Sequence, residues 1–509
     1  IAPGVSPRLL ADQFGQVAEN VDFESGRFVA ITEDSATYTL QTGNRRSIYY
    51  YRDTNWLEWI EDGVSVVPGP IPGDTLDRLY FTGDDYPRMG TAATLVSGSN
   101  GYPVNSYRLG VPAPLNAPAV VVNGTADDTL TPNDVSYVYT LVTAFGEEGP
   151  PSSPSAVIQL DDTQSTTLSL PTSDQPSGNY NFTTGALKRI YRSNTGSTNT
   201  QFQFAGEVGY TATSFTDTQD AATLGEVLPS ATWIGPPDDD SALYPDGPLN
   251  GLIALAQGTM AGFTGKRFCL SEPFLPHAWP IQYRITTEED IVAIASTANG
   301  VAALTDGQPY FITGTEPSAM TAVRIDLAQA CVNVNSVVDM GSYVLYAGPD
   351  GLCGLESASG SVVTAGLISV KQWNDDFNPT TIRAFKHEGT YVAFHATGGW
   401  VYDPRGDENA LTTLSISSDV RGGYTNPKDG ELYLIVNNEI VKYRGSATSK
   451  TAKFKSKKFV TPAPVSMGWV SVHANEYPAT VKVYGDGVLV ADYTVTKSGS
   501  TYTQATTVP

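Results

Sequence analysis

Histidine, cysteine and basic side chains are scarce in this chain of 509 residues. It contains four His, three Cys, and 30 Lys plus Arg against 53 Asp plus Glu, which gives a formal net charge of −23. Proteins that read nucleic acids need a stripe of Lys and Arg for phosphate contacts, so the composition argues against that class. A surface that repels DNA is still compatible with this charge.

The odd and small number of cysteines excludes a disulfide framework and fits synthesis in a reducing compartment. Cys269 lies between two apolar residues and is predicted to be a small buried side chain, whereas a pairing of Cys331 with Cys353 stays open. No stretch approaches the roughly 18 apolar residues of a membrane-spanning helix, and residues 1–4 do not resemble a signal peptide. We therefore expect no membrane-spanning segment.

Motifs for catalysis and cofactor binding are also scarce. The nearest match to a phosphate-binding loop, at Gly265 and Lys266, has Met260 at its first position and Arg267 at its last, and no Gly-x-Ser-x-Gly motif occurs. Four histidines leave little material for a Ser-His-acid triad. We expect no enzyme activity, no catalytic residues, no cofactor and no metal ion.

The remaining polar candidates favour structural roles. His277 is predicted to make a structural hydrogen bond, and His387 and His395 lack a short metal-ligand spacing, so we interpret these two as packing or surface residues. Residues 238–240 are three consecutive Asp that precede Asp246, but they lack the alternating oxygen ligands of a calcium loop. A solvated linker is the interpretation that this run favours.

What the chain has in abundance is turn and strand residues. With 48 Gly, 34 Pro, 27 Tyr and only 16% charged residues, the composition predicts an almost wholly β fold of short strands and tight turns. Hairpins are predicted at residues 342–352, at residues 389–403 and at residues 431–443, the last turning at Asn437 and Asn438. Their recurrence at roughly 45 residues is typical of a β-propeller, here an irregular one.

Composition divides the chain into four regions. Residues 1–115 would hold an N-terminal segment and the first propeller blades, and residues 116–232, rich in Thr, Ser and Asn, an inserted fibronectin type III-like sandwich. Residues 233–446 would supply the remaining blades, and residues 447–509 a small C-terminal β unit. Within the sandwich, residues 137–145 are predicted to form a long strand.

Charge is distributed unevenly along the chain. Residues 451–509 carry six Lys against three acidic residues, whereas the rest of the chain holds 24 basic and 50 acidic residues. A basic end on an acidic body suggests contact between subunits or with a partner. A solvated strand face is the simpler interpretation.

Four segments carry a resemblance to a known family. Residues 266–280 join a short apolar strand to a loop with three prolines, a His and a Trp, and residues 18–27 frame an apolar stretch with Asn and Gly. Residues 78–89 form a strand that ends at a Gly-Asp turn, and residues 453–459 a basic strand. These segments resemble the tail hub or nozzle proteins of short-tailed bacteriophages, also described as packaged-DNA stabilisation proteins.

The resemblance implies a structural virion protein of the viral tail that is synthesised in the host cytoplasm. It implies a ring, by resemblance a hexamer, that extends the DNA channel below the portal-adaptor complex, retains packaged DNA and conducts it at ejection. Its partners would be further copies of itself, the portal-adaptor proteins, tail fibre, spike or needle proteins, and DNA passing without sequence-specific contacts. We expect acidic side chains along the channel wall, because they repel phosphate.

Two alternatives belong to other classes of protein. A carbohydrate-binding tail adhesin or spike component would stack sugars on aromatic side chains, for which Trp56, Trp59 and residues 49–51 are the candidates. A glycan depolymerase would need two carboxylates close together in a cleft, which cannot be chosen among 53 acidic residues without geometry.

Overall fold

The computed structural model describes residues 1–23, 27–41, 43–99, 101–195, 199–396, 398–405, 410–416, 418–460, 463, 469–474, 477–485, 488–496 and 500–503. Strands make up 42% of the structure and helices 6%, which confirms the predicted all-β class. The chain divides into a large unit, Ile1–Val5 with Gly15–Lys455, and a small unit, Ser6–Phe14 with Ser456–Pro509.

The strands are short throughout. Before residue 116 they are β1 Gly15–Glu19, β2 Val21–Asp22, β3 Val29–Ala30, β4 Ser35–Thr39, β5 Ser47–Tyr51, β6 Asn55–Trp59, β7 Ser65–Pro68, β8 Leu79–Thr82, β9 Arg88–Gly90 and β10 Tyr107–Arg108. Between residues 116 and 232 they are β11 Ala119–Asn123, β12 Asn133–Val135, β13 Tyr137–Val142, β14 Ile158–Leu160, β15 Ser165–Ser169, β16 Leu187–Thr195, β17 Thr200–Gly209 and β18 Ser214–Asp217.

The strands after residue 232 complete the list. In the large unit they are β19 Asn250–Ala254, β20 Met260–Thr264, β21 Arg267–Leu270, β22 Ile285–Thr286, β23 Ile291–Thr297, β24 Gly300–Thr305, β25 Tyr310–Thr313, β26 Thr321–Arg324, β27 Val338–Asp339, β28 Val344–Ala347, β29 Leu352–Glu356, β30 Ser359–Val362, β31 Arg383–His387, β32 Thr390–His395, β33 Gly398–Asp403, β34 Ala410–Leu414, β35 Val420–Thr425, β36 Leu432–Val436 and β37 Glu439–Lys442. They are followed by β38 Lys453–Ser456, β39 Trp469–Val472, β40 Ala479–Gly485, β41 Val488–Val495 and β42 Ser500–Thr503.

Helices are few and brief. The α-helices are α1 Ala92–Leu95 and α2 Val370–Gln372, and α2 runs into one π-helical turn, Trp373–Phe377. The 3₁₀ turns are Ala221–Thr223, Ala256–Gly258, Ile281–Tyr283, Pro317–Ala319, Val334–Ser336 and Pro379–Thr381. No helix in the described part of the chain has the length and apolarity needed to cross a membrane.

Seven small sheets, antiparallel except where β1 pairs with β34, follow one another in the described part of the large unit. Sheet 1 is β5–β6, sheet 2 is β7–β10, sheet 3 is β19–β22, sheet 4 is β23–β26 and sheet 5 is β27–β30. Sheet 6 is β31–β34, extended by β1 and β38, and sheet 7 is β35–β37, extended by β4. From sheet 2 onward, the first strand of each sheet lies next to the first strand of the following one, and sheet 7 lies next to sheet 1 in the same way.

Among the described residues, six apolar cores outside residues 116–232 are each shared by two sheets that follow in this order. Shared cores join sheets 1 and 2, 2 and 3, 3 and 4, 4 and 5, 6 and 7, and finally 7 and 1. Sheets 5 and 6 are linked by the Tyr391 hydroxyl, which donates to the Ser336 carbonyl just before β27. The six shared cores and this hydrogen bond therefore lead from sheet 1 through sheets 2 to 7 and back to sheet 1.

The three predicted hairpins are confirmed. In the last of them, β36 pairs with β37 around Asn437, whose φ of +55° suits the tight turn. Leu432 and Leu434 lie in the core shared with sheet 6, and Ile435 lies in the core shared with sheet 1. Both faces of the strand are covered, as its apolar sequence on both faces predicts. The pairs β28–β29 and β32–β33 are the other two hairpins. Thr397, which lies between β32 and β33, is outside the described residues.

Residues 116–232, which we call the insertion, have a core of their own. Two three-stranded sheets, β11-β15-β18 and β13-β16-β17, enclose this core, which includes Tyr137, Tyr139 and Leu168. The predicted strand at residues 137–145 is present but ends at Val142. In the small unit, β39 pairs with β42 and β40 with β41.

Candidate functional site

The proline-rich loop that follows β21 is held in one conformation by internal hydrogen bonds. The backbone N–H of Glu272 donates to the Ala278 carbonyl at 2.9 Å, and the indole Nε1 of Trp279 donates to the Pro276 carbonyl at 2.8 Å. His277 and Trp279 are buried, while Phe274 is partly exposed. The second half of the loop therefore lies inside the protein and not on its surface.

This loop lies where the chain returns from the insertion. The backbone N–H of Trp279 donates to the Ile234 carbonyl at 2.7 Å, and the His277 ring lies edge-on to Trp233, with 6.1 Å between centroids. The Trp279 ring belongs to the core that sheets 2 and 3 share. The loop therefore connects the end of the insertion to two neighbouring sheets.

A buried ion pair connects the other side of the insertion to sheet 2. The Arg78 guanidinium, just before β8, donates to Glu147 Oε1 at 3.2 Å and to Asp74 Oδ2 at 2.8 Å. Burial raises the pKa of the Glu147 carboxyl, which also accepts from the Thr143 hydroxyl at 3.2 Å. Because a buried carboxylate is costly without a partner, the Arg78 guanidinium favours the charged form of Glu147 against the effect of burial.

The neighbouring Glu148 ties the same turn to the sheet of the insertion. Its carboxylate accepts from the Thr140 hydroxyl at 2.8 Å, from the Tyr191 hydroxyl at 2.7 Å and from Arg189 at 2.9 Å. Thr140 lies on β13 and the other two residues lie on β16. The two consecutive carboxylates thus bind different parts of the molecule: Glu147 pairs with Arg78 at sheet 2, and Glu148 binds side chains of the insertion.

We call Asp74, Arg78, Glu147, His277 and Trp279 together the joint. His277 is buried, and burial, reinforced by the Arg78 charge, lowers its pKa to about 4 against the opposing effect of a hydrogen bond with the Glu148 backbone. The structural hydrogen bond expected for the His277 side chain thus stays a prediction, with the Glu148 backbone as its partner. A neutral ring packed beside a guanidinium holds position and does not transfer protons near neutral pH.

The low pKa of His277 predicts a loss of stability in acid. Since the folded pKa is about 4 and the unfolded value is about 6.5, the unfolded chain takes up the proton first as the pH falls. The contribution of the neutral His277 ring to the free energy of unfolding is fully present above pH ~6.5. It falls by about 3 kcal/mol between pH ~6.5 and pH ~4, and this group causes no further loss below pH ~4. Denaturation curves of wild type and His277→Gln across this range measure the difference.

The control for this comparison is His473→Gln, which replaces an exposed histidine. Burial raises the pKa of Asp84 to about 6, so this carboxyl stabilises the fold as the pH falls, and only the difference between variant and wild type isolates His277. Equal pH dependence in wild type and His277→Gln would contradict a buried neutral ring.

His387 and His395 lie at opposite ends of the β31–β32 hairpin. His387 is paired with Thr390 next to the turn, whereas His395 is paired with Gly398 at the far end. The length of the hairpin separates them by about 15 Å, so they cannot share one metal ion. Among the described residues, no three His, Cys, Asp or Glu side chains are grouped so that they could hold a metal.

A cavity of about 390 Å³ lies beside His387 on sheet 6. Its charged groups are paired with each other: Arg444 binds Asp22 at 2.8 Å and Arg405 binds Asp403 at 2.9 Å. The His387 ring packs edge-on against Tyr443, with 5.1 Å between centroids, and burial lowers its pKa. Packing, as expected from the sequence, is the role that these contacts give His387.

A larger cavity of about 630 Å³ is lined by the first strands of consecutive sheets. Its wall includes Asn250 on β19, Ser296 on β23 and Asp339 on β27, together with Asp62 before β7. Asp62 binds Arg383 of β31 at 2.6 Å, and burial raises the pKa of Asp339. Apolar side chains such as Phe263, Ile294 and Phe385 complete the wall.

The other sequence candidates occupy structural positions. All three cysteines are buried free thiols, so Cys331 and Cys353 do not form a disulfide. Asp239 accepts both ends of the Arg108 guanidinium, at 2.6 and 2.9 Å. The run at residues 238–240 is therefore partly an ion-pair anchor, and Asp239 stays exposed, as the expected solvated linker predicts.

The aromatic residues that were the candidates for sugar platforms pack in the core. Trp56 and Trp59 are buried, the first in the core between sheets 7 and 1 and the second in the core between sheets 1 and 2. Tyr51 is buried with Trp59, and Tyr49 packs against Tyr424 at 5.2 Å between centroids. These side chains hold sheets together and do not offer flat exposed faces to a glycan.

The ion pair of the joint was missed by reasoning from the sequence. Its signal was the consecutive Glu147 and Glu148, which follow the fully buried strand β13 after four intervening residues and come directly before Gly149. Two acidic residues close to the end of a buried strand need cations nearby. Arg78, which supplies one of them, lies 69 residues earlier in the chain, and nothing local identifies it.

Comparisons with known proteins leave the chain without a family. No protein-family model matches it, and no curated protein is similar to it in sequence. Structural similarities include PorZ of the Porphyromonas gingivalis type-IX secretion system, at 11% identity and TM-score 0.27, covering 61% of this chain and 43% of PorZ. The chain thus spans less than half of that protein.

Two further solved structures are similar at the same low level. Myxococcus xanthus glutaminyl cyclase has 12% identity and TM-score 0.21, over 39% of this chain and 87% of the cyclase. The N-terminal domain of Nup159 has 10% identity and TM-score 0.27, over 47% of this chain and 75% of that domain. At these TM-scores none of the three supports a conclusion about fold or function.

Proposed function

We propose that this chain is a structural virion protein, the tail hub or nozzle of a short-tailed bacteriophage, without enzyme activity. Copies of it would form a ring that extends the DNA channel below the portal-adaptor complex. The ring would retain packaged DNA and conduct it at ejection. The function is mechanical and electrostatic, and it needs a rigid body more than a reactive pocket.

The proposal includes a finer fold assignment. Sheets 1 to 7 would be the blades of an irregular propeller around the 630 Å³ cavity, because propeller blades are sheets of about four strands around a central channel. Strand β4, which comes from before sheet 1 and completes sheet 7, would close the propeller. The insertion would be a fibronectin type III-like sandwich, and the small unit a C-terminal β unit.

The observation that carries the proposal is the placement of the resembling residues. Residues 78–89 and residues 266–280 contribute Arg78, His277 and Trp279 to the joint. They fasten the insertion to the sheets and do not line a cleft. Residues that fasten two parts of the molecule together suit a protein whose task is to keep its shape under load.

Charge supports the same proposal. The net charge of −23 gives the molecule a surface that repels phosphate, so DNA would pass without adhering. In the assembled ring we expect the wall of the channel to carry more Asp and Glu than Lys and Arg. A wall dominated by basic side chains would contradict this mechanism.

Electron microscopy of reconstituted complexes tests the proposal. The purified chain is mixed with the portal and adaptor proteins encoded in the same genome, and we expect a ring bound at the adaptor end of the portal. A chain that neither assembles nor binds these proteins, and that degrades a polysaccharide, would refute the proposal. Binding to a glycan array without binding to the portal complex would instead favour the adhesin.

A further inference from the structure

A basic and aromatic surface lies along β38. All four side chains of Lys453–Ser456 are exposed, and β38 is the last strand of sheet 6 as the described residues define it. Phe454 packs against Phe23 and Phe28 at 5.6 and 6.1 Å between centroids. These three rings stay 50%, 40% and 52% exposed, which is unusual for phenylalanines that already contact one another.

The cations of this surface are only partly neutralised. Lys453 binds Glu19 at 2.7 Å, while Lys455 has no ion-pair partner among the described residues. Edge strands commonly carry lysine to prevent unwanted pairing, so Lys455 alone indicates little. Exposed rings beside the lysines add an apolar contact area, which solubility alone does not require. We call Phe23, Phe28, Lys453, Phe454 and Lys455 the basic edge.

An acidic hollow of about 430 Å³ lies at one end of the insertion. Asp134, Asp162 and Asp220 line it with exposed carboxylates that have no cationic partner among the described residues. The one guanidinium in its wall, that of Arg192, is already bound to Asp217 at 2.7 Å. The hollow therefore carries uncompensated negative charge.

The hollow lies at the end of the insertion that is remote from the joint. Strand β12 contains Asp134, and β13 begins after one intervening residue. Because β13 ends next to the turn that contains Glu147, the hollow and the joint lie at opposite ends of β13. A strand of six residues spans about 20 Å. The joint thus holds one end of the insertion and leaves the acidic end projecting.

We propose that the acidic hollow of one copy binds the basic edge of a neighbouring copy. Lys453 and Lys455 would enter the field of Asp134, Asp162 and Asp220, and the phenylalanines would cover Leu130 and Pro132 at the hollow. Leu130 is 41% exposed, and Pro132 lines the hollow. Because each copy carries both surfaces, the contact is head-to-tail, and repetition of such a contact closes a ring when the rotation allows.

This inference rests on the proposed function in one respect, because it takes from it that copies of the chain form a ring. It names the contact between neighbouring subunits of that ring. Complementary charge at the rim of an interface speeds and orients association, while the buried apolar side chains contribute affinity. The contact should therefore weaken as salt rises, since the Debye length falls from about 10 Å at 0.1 M to about 3 Å at 1 M.

A charge exchange between two full-length variants tests the contact. One variant carries Lys453→Glu and Lys455→Glu, and the other carries Asp134→Lys and Asp162→Lys. Each variant alone presents like charges on both surfaces, so we expect at least a tenfold increase in the concentration needed for assembly. An equal mixture restores opposite charges at every contact and should assemble like wild type, as measured by analytical ultracentrifugation.

Lys371→Glu is the matched control, because it reverses an exposed lysine elsewhere in the large unit and should leave assembly unchanged. Circular dichroism establishes that each variant is folded. The inference is overturned if either folded variant assembles like wild type, if the mixture stays dissociated, or if the wild type is monomeric at every concentration. Assembly that follows the charge exchange without portal binding would uphold this contact and refute only the tail function.

Discussion

Replacing Arg78 by methionine is expected to lower the free energy of unfolding by about 3–5 kcal/mol. The substitution leaves the Glu147 carboxylate buried without its cation, and breaking one half of a buried pair costs this amount. The loss should shrink in acid, because burial raises the pKa of Glu147 and its protonation removes the uncompensated charge. Chemical denaturation followed by circular dichroism at pH 7 and at pH 5 measures both effects.

A second substitution separates the ion pair from simple packing. Adding Glu147→Leu to Arg78→Met removes the stranded charge, so we expect the double variant to recover part of the lost stability. Lys442→Met is the control, since it breaks the half-exposed Lys442–Glu431 pair and should cost less than about 1 kcal/mol. A double variant less stable than Arg78→Met would contradict a joint held by this pair.

Trp279→Ala is expected to lower the free energy of unfolding by about 3–5 kcal/mol as well. The Trp279 ring is 1% exposed in the core that sheets 2 and 3 share, and its removal leaves a cavity in that core. The substitution also leaves the Pro276 carbonyl without the indole donor at 2.8 Å. Denaturation followed by circular dichroism avoids the loss of the indole fluorescence.

Two variants control for this prediction. Ile281→Ala lies two residues further along the same loop and replaces a side chain that is 62% exposed, so it should change stability by less than about 0.5 kcal/mol. Trp279→Phe keeps an aromatic ring in the core and should cost less than Trp279→Ala. If Trp279→Ala were as mild as Ile281→Ala, the loop would not fasten the insertion to the sheets.

Local patterns were the part of the fold that could be predicted. The hairpin of β36 and β37 follows from apolar residues on both faces and from two Asn at the turn, and the structure places it as expected. Strand β13 was anticipated from its apolar run, but its end was placed three residues late, because Thr143 turns to hydrogen-bond Glu147. Turns decided by side-chain contacts are harder to locate than strands decided by periodicity.

Side-chain environments were predicted less well than strands. Trp56 was a candidate for a sugar platform but lies buried, with its ring centroid 5.1 Å from that of Tyr433. A sequence gives the chemistry of a side chain but not the distance to its neighbours. Asp239 illustrates the same limit, because Arg108, its partner, lies 131 residues away.

The amino-acid sequence alone determined the all-β class, the hairpins and the acidic balance of the chain, since these depend on composition and on residues a few positions apart. Only the tertiary structure decided that β4 completes sheet 7, that β1 pairs with β34, and that Arg78 meets Glu147. Such contacts join residues tens to hundreds of positions apart, so they arise from the way whole sheets pack together and leave no periodic trace in the sequence.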